Sequence, residues 1–153
     1  MYTKEELETI AETQAHIDSV AALLENFATA IRLRAANHDA SKLVAPELQG
    51  FTNAKSSLKG LTYGSQDYKD ALASLKPTLD HHYANNRHHP EHWANGIEAM
   101  TLVDVVEMFF DWYAATKRHA DGDIMKSIDI NEERFGINEQ LSQIFINTVK
   151  EIK

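Results

Sequence analysis

An apolar residue returns at every seventh position near the start of the chain, at Ile10, Ile17, Leu24 and Ile31, with Val20 and Phe27 between them. That period fits one face of an α-helix and no strand, because strand side chains alternate faces at every residue. Thr3 and Glu6 precede the seam at the spacing by which a threonine hydroxyl and a glutamate carboxylate cap each other's backbone N–H groups. The pattern predicts one helix over residues 4–36, with His16 at the edge of a core and the pair His38-Asp39 near the helix's C-terminal end. No alternation of apolar and polar residues reaches five positions anywhere. The expected fold is therefore all-α, a single-domain bundle over residues 1–153 with about five to seven helices.

The remaining helices follow from local signals. Pro46 favours a fresh start within an element running from Leu43 to Leu58, and Gly60 and Gly64 bracket a turn. Ser65 suits the cap of a third helix, whose apolar face is Tyr68, Ala71, Leu72, Leu75 and Leu79 and which Pro77 should kink or split. Residues 85–96, rich in Asn, His, Pro and Gly, read as loop or short turns. Thr101 and Asp104 form a second capping box ahead of Leu102, Val103, Val105, Val106, Phe109 and Phe110, a helix apolar enough to be central. A segment from Ile124 to Phe135 follows, and beyond Gly136 a last amphipathic helix carries Leu141, Ile144, Phe145 and Val149.

Five of the eight histidines fall between His81 and His92, and a sixth is His38. Packing gives little reason to gather imidazoles, whereas a transition-metal site needs several neutral nitrogens with one or two carboxylates. Cysteine is absent, which excludes thiolate zinc sites, cysteine nucleophiles and disulfide scaffolding together. A formal net charge of −8 argues against general nucleic-acid binding, while leaving room for a pocket that takes one small phosphate. The absence of an eighteen-residue apolar run and the acidic, polar start Met1–Glu6 point to the cytoplasm and away from the membrane.

Asp104, Glu107 and Asp111 stack on one stripe of the apolar helix. Asp104 fits a solvent-facing first-turn charge or cap. Asp111, between Phe109-Phe110 and Trp112-Tyr113, reads as a metal ligand, since a carboxylate in apolar surroundings needs a cation. Glu91 and Glu107 are candidates for orienting a ligating imidazole. His92 and His119 read as peripheral, and Tyr83, Trp93, Trp112 and Tyr113 as core aromatics before base-stacking ones.

In order along the chain, His16, the pair His38-Asp39 followed by Ser41-Lys42, the histidine cluster and Asp111 resemble the HD superfamily of metal-dependent phosphohydrolases. His38-Asp39-Ala40-Ser41-Lys42 is similar to its His-Asp-x-x-Lys variant, and Val106–Arg118 to its late aspartate helix. The stretch from His81 to Trp93 is also similar to a signature of a small phage and bacterial helical family of unknown function, read as a divergent branch. The resemblance implies an HD-type bundle with His16, His38, Asp39, His82, His89 and Asp111 as metal ligands. His81 and His88 are then alternative ligands or groups behind the ligands. No Gly-Tyr-Pro motif follows the histidines, so a cyclic-dinucleotide phosphodiesterase of that kind is not supported.

What the resemblance implies chemically is hydrolysis of a small phosphorylated substrate, a nucleotide foremost. One or two divalent cations would activate water, and mixed nitrogen and oxygen ligands suit Mn, Fe, Co, Ni or Zn. Asp39, Lys42 and His89 are the candidate catalytic residues, and Lys42 and Arg87 the candidate cations for substrate phosphate. Two other classes stay open: a helical metalloenzyme acting on a non-phosphate substrate, and a module that binds metal or nucleotide without catalysis.

Overall fold

The computed structural model describes residues 1–58, 66–118 and 120–152. Gly60, Gly64, Ser65 and His119 lie outside the described residues, as do the side chains of Tyr68 and Leu72. All regular structure among the described residues is helical: α1 (Lys4–Asn37), α2 (Glu47–Leu58), α3 (Gln66–Ser74), α4 (Lys76–Asn85), α5 (Leu102–Thr116), α6 (Ile124–Phe135) and α7 (Glu139–Glu151). Short 3-10 turns cover Ala40–Leu43, Pro90–His92 and Gly96–Ala99. Backbone contacts divide the chain into two units, Met1–Asn37 and His38–Lys153.

The first unit is α1 alone. Its start is the expected capping box, in which the Thr3 N–H donates to Glu6 at 2.7 Å and the Glu6 N–H to the Thr3 hydroxyl at 3.2 Å. Its apolar seam does not line a core: no residue of α1 is buried, and His16 is exposed where a core edge was expected.

In the second unit Pro77 splits the expected third helix into α3 and α4, standing in the first turn of α4 where its missing N–H costs nothing. α5 begins at the Thr101–Asp104 capping box. α6 ends at Gly136, whose φ of 63° is the left-handed conformation that glycine adopts without a Cβ clash. Met108 and Phe109 of α5 pack with Ile124 and Ile128 of α6, Ile137, and Phe145 and Val149 of α7. Phe109 and Phe145 stack with ring centroids 4.9 Å apart, and Trp112 stacks on Phe135.

α5 is central on one side only, since its apolar residues Leu102 and Phe110 are exposed. One face closes the core and another carries Glu107 and Asp111. α2 approaches α4 so closely that a Cβ at Gly50 would collide with the side chain of Thr78. That approach brings Glu47, in the first turn of α2, to the end of α4 that carries His81 and His82.

Candidate metal centre

After α1 the chain turns at Asp39, the one non-glycine residue with positive φ (56°) among the described residues. Aspartate tolerates this left-handed conformation better than most residues. The turn leads into the 3-10 segment bearing Ser41 and Lys42. Histidines from the end of α4 and the following loop, and carboxylates from α5, meet the same place.

Two glutamates, Glu47 buried and Glu107 half-buried, set the tautomers. An ionised carboxylate only accepts hydrogen bonds, so a ring nitrogen facing it must carry the proton. Glu47, fully buried, accepts from Nδ1 of His81 and of His82, both at 2.8 Å, and from the Ser41 hydroxyl at 2.9 Å. Glu107 Oε1 lies 3.0 Å from Nδ1 of His38 and 3.2 Å from Nδ1 of His88. With Nδ1 committed, His38, His82 and His88 each present Nε2 to the ligand-binding side, the arrangement that metal-ligating histidines adopt.

Those nitrogens converge. His82 Nε2 lies 3.3 Å and His88 Nε2 3.6 Å from Asp39 Oδ1, and His82 Nε2 lies 2.9 Å from His89 Nε2. His38 Nε2 is 3.5 Å from Asp39 Oδ2 and 3.6 Å from Asp111 Oδ1. Two sets result, Asp39 with His82, His88 and His89, and His38 with His88 and Asp111, each with ligand atoms within 4.8 Å of one another. Ligands held at about 2.1 Å from one ion stand roughly 3 to 4 Å apart, so these spacings fit. Asp39 Oδ1 and His88 Nε2 are also buried with no hydrogen-bond partner. Buried polar atoms are nearly always satisfied, and these two face a point that a cation would satisfy.

The electrostatics agree. Burial would raise the Asp39 carboxyl, yet the neighbouring His82 imidazole and the Lys42 ammonium outweigh it and hold it below the usual carboxylate range. Asp111 is likewise lowered against its burial, chiefly by His38. Glu47 is lowered against burial by His81, His82 and Ser41. Burial, then repulsion from His88 and His82, pushes His89 down to about 3 and keeps its imidazole neutral. Hydrogen bonds to Asp111 and then Glu107 raise His38 to about 10, so without a metal it is a cation bridging two carboxylates.

Residues 5–152 match a family whose description is "Family of unknown function (DUF5662)". The chain belongs to this family. No curated protein and no solved structure matches it. The function of the DUF5662 family is unknown, so a reading of function rests on the centre itself.

Of the residues that the sequence singles out in this DUF5662 chain, His38, Asp39, His82, His89 and Asp111 are brought together. His88 joins both sets and is almost fully buried, which places it among the ligand candidates and not behind them. His81 stands behind His82 on Glu47, and Glu107 orients two imidazoles. Lys42 Nζ lies 2.7 Å from Asp39 Oδ2. His16 is in neither set and stands on the other unit.

Arg87 is drawn elsewhere, donating to Asp104 from Nε at 3.3 Å and Nη2 at 3.2 Å while covering the ring of Trp93. Asp104 caps α5 as expected but is fully buried, so it does not face solvent. Glu91 pairs with Arg134 at 2.7 Å and orients no histidine ring among the described contacts. His92 binds the Tyr83 carbonyl. Trp112 and Tyr113 pack against the core, while Tyr83 lies against the ring of His89. Sequence reasoning missed Glu47. The only local signal was a glutamate after Pro46 at a helix start, which reads as an ordinary first-turn acid.

Proposed function

We propose that this protein is a metal-dependent phosphohydrolase acting on a small phosphorylated substrate, a nucleotide foremost. The observation that carries the reading is the pair of unsatisfied buried atoms, Asp39 Oδ1 and His88 Nε2, facing each other among His82, His89, His38 and Asp111. The linear order of these residues resembles the HD phosphohydrolases, which supports the reaction class by analogy. His38, Asp39, His82, His88, His89 and Asp111 would hold one or two ions of Mn, Fe, Co, Ni or Zn, for which mixed nitrogen and oxygen donors are suited. A divalent ion held there supplies a Lewis acid for phosphoryl oxygen and acidifies a water toward neutral pH.

The chain's own residues set up the rest. Glu47 and Glu107 fix the rings of the ligating histidines, which keeps the donor atoms in place when substrate arrives. Lys42, one residue pair away from the centre through Asp39, is placed to meet a phosphate oxygen bound beside that carboxylate. Arg87 is left out of this role because Asp104 holds it.

A second reading, metal binding without hydrolysis, is favoured by the engagement of Lys42 and Arg87 with carboxylates. One experiment separates the two: bound metal is measured in the wild type and in a His38→Ala, Asp39→Ala pair, and phosphatase activity is screened on a nucleotide panel with added manganese. The phosphohydrolase reading predicts metal and metal-dependent phosphate release in the wild type only. A protein that takes up no divalent ion sinks both readings, and one that binds metal yet releases no phosphate leaves the second.

A further inference from the structure

α1 covers Lys4–Asn37, about 50 Å of helix, and buries none of its residues. Its exposed residues include Leu7, Ile10, Ile17, Val20, Leu23 and Leu24. An isolated helix of this kind draws most of its stability from packing its amphipathic face, and α1 forms a unit of its own whose seam is exposed at Ile10, Ile17, Val20 and Leu24 and half-buried at Phe27 and Ile31. The core of the second unit is closed by α5, α6 and α7 among themselves.

We infer that α1 pairs with α1 of a second copy of this chain, as an antiparallel helix pair. Two features of α1 select that occupant. Ile10, Ile17, Leu24 and Ile31 are evenly spaced, so a reversed copy offers the same ladder to the first, and the period is that of a two-helix seam. The charge is also segregated. Residues 4–18 carry Lys4 against Glu5, Glu6, Glu8, Glu12 and Asp18, one positive and five negative for a net −4. Residues 19–37 carry Glu25 against Arg32 and Arg34, for a net +1. An antiparallel pair sets the acidic part of each copy beside the basic end of the other, whereas a parallel pair sets acid beside acid along half its length. Electrostatic complementarity of this kind fixes orientation more than affinity.

The mass of the full-length protein in solution tests the pairing, and crosslinking tests its direction. Light scattering is expected to give twice the 17.3 kDa of one chain, and the double variant Ile17→Glu, Leu24→Glu is expected to give one chain with its metal content unchanged. The chain has no cysteine, so Ile10→Cys and Ile31→Cys can be introduced singly. With a bismaleimide of about 10 Å reach, an equimolar mixture of the two should crosslink and neither alone should, because residues 10 of an antiparallel pair lie about 25 Å or more apart. A monomer at ~100 μM, a dimer that the double glutamate variant leaves intact, or self-crosslinking of Ile10→Cys would each overturn the inference. None of these readouts depends on what the metal centre does.

Discussion

Glu47 Oε2 accepts the Nδ1–H of His82 at 2.8 Å, across 35 positions of chain and with both side chains shut off from water. The bond decides which nitrogen of His82 is free. It also keeps a negative charge behind the imidazole, which makes Nε2 a stronger donor to a cation.

Glu47→Gln keeps the shape of that side chain and removes its charge. Divalent-ion affinity, measured by competition with a chelator, is expected to fall about 10- to 100-fold while the circular dichroism of the folded chain is retained. Unchanged affinity would remove Glu47 from the support of the centre.

Gly50→Ala tests the same support from a distance. The added methyl meets Thr78, a β-branched side chain with little freedom to move aside, so α2 must shift from α4. A destabilisation of about 1–3 kcal/mol is expected in urea melts, together with weaker metal binding as Glu47 draws away from His82. Lost stability with metal affinity intact would show that Glu47 follows His82 when the helices part.

His88→Ala and His92→Ala separate the cluster by function. His88 belongs to both ligand sets, whereas His92 binds a backbone carbonyl away from them. Elemental analysis of the purified variants should find metal lost from the first and retained in the second. Equal loss from both would mean that the loop, and not a ligand, had been disturbed.

Metal-free stability should fall at both ends of the pH scale. His38 is raised from 6.5 to about 10, so its contribution is complete below pH 6.5 and is lost as pH rises through about 10. Asp39 and Asp111 are lowered, so theirs is present above the unfolded value of 3.8 and is lost as pH falls below it. Metal binding must expel the His38 proton, so affinity rises with pH and the alkaline decline disappears in the loaded protein. Urea melts at about pH 7 and about pH 9, with and without metal, check this. An alkaline decline that metal does not alter would rule out His38 as a ligand.

Local signals carried most of the fold. Thr3 with Glu6, Thr101 with Asp104, Pro77 and Gly136 each mark a helix boundary through geometry confined to a few residues, and the structure sets its boundaries there. The centre was legible where residue type alone is unusual, as with clustered histidines and an aspartate inside an apolar helix. It was not legible where a common residue acquires its role from a distant partner. Glu47 matters through His82, and the buried Asp104 is paired by Arg87 from 17 positions away. The seam of α1 gave the helix correctly but not its surroundings, since periodicity identifies a face and not what lies against it.

The left-handed backbone at Asp39 has a consequence for how the chain is constrained. Glycine would occupy that conformation without strain, and asparagine would do so without adding charge beside Asp111. The backbone conformation taken alone therefore favours another residue at this position. The metal-free chain keeps its aspartate through the charges around it, since Lys42 and His38 favour a carboxylate here, so Asp39 answers to the side chains of the centre against the preference of the backbone beneath it.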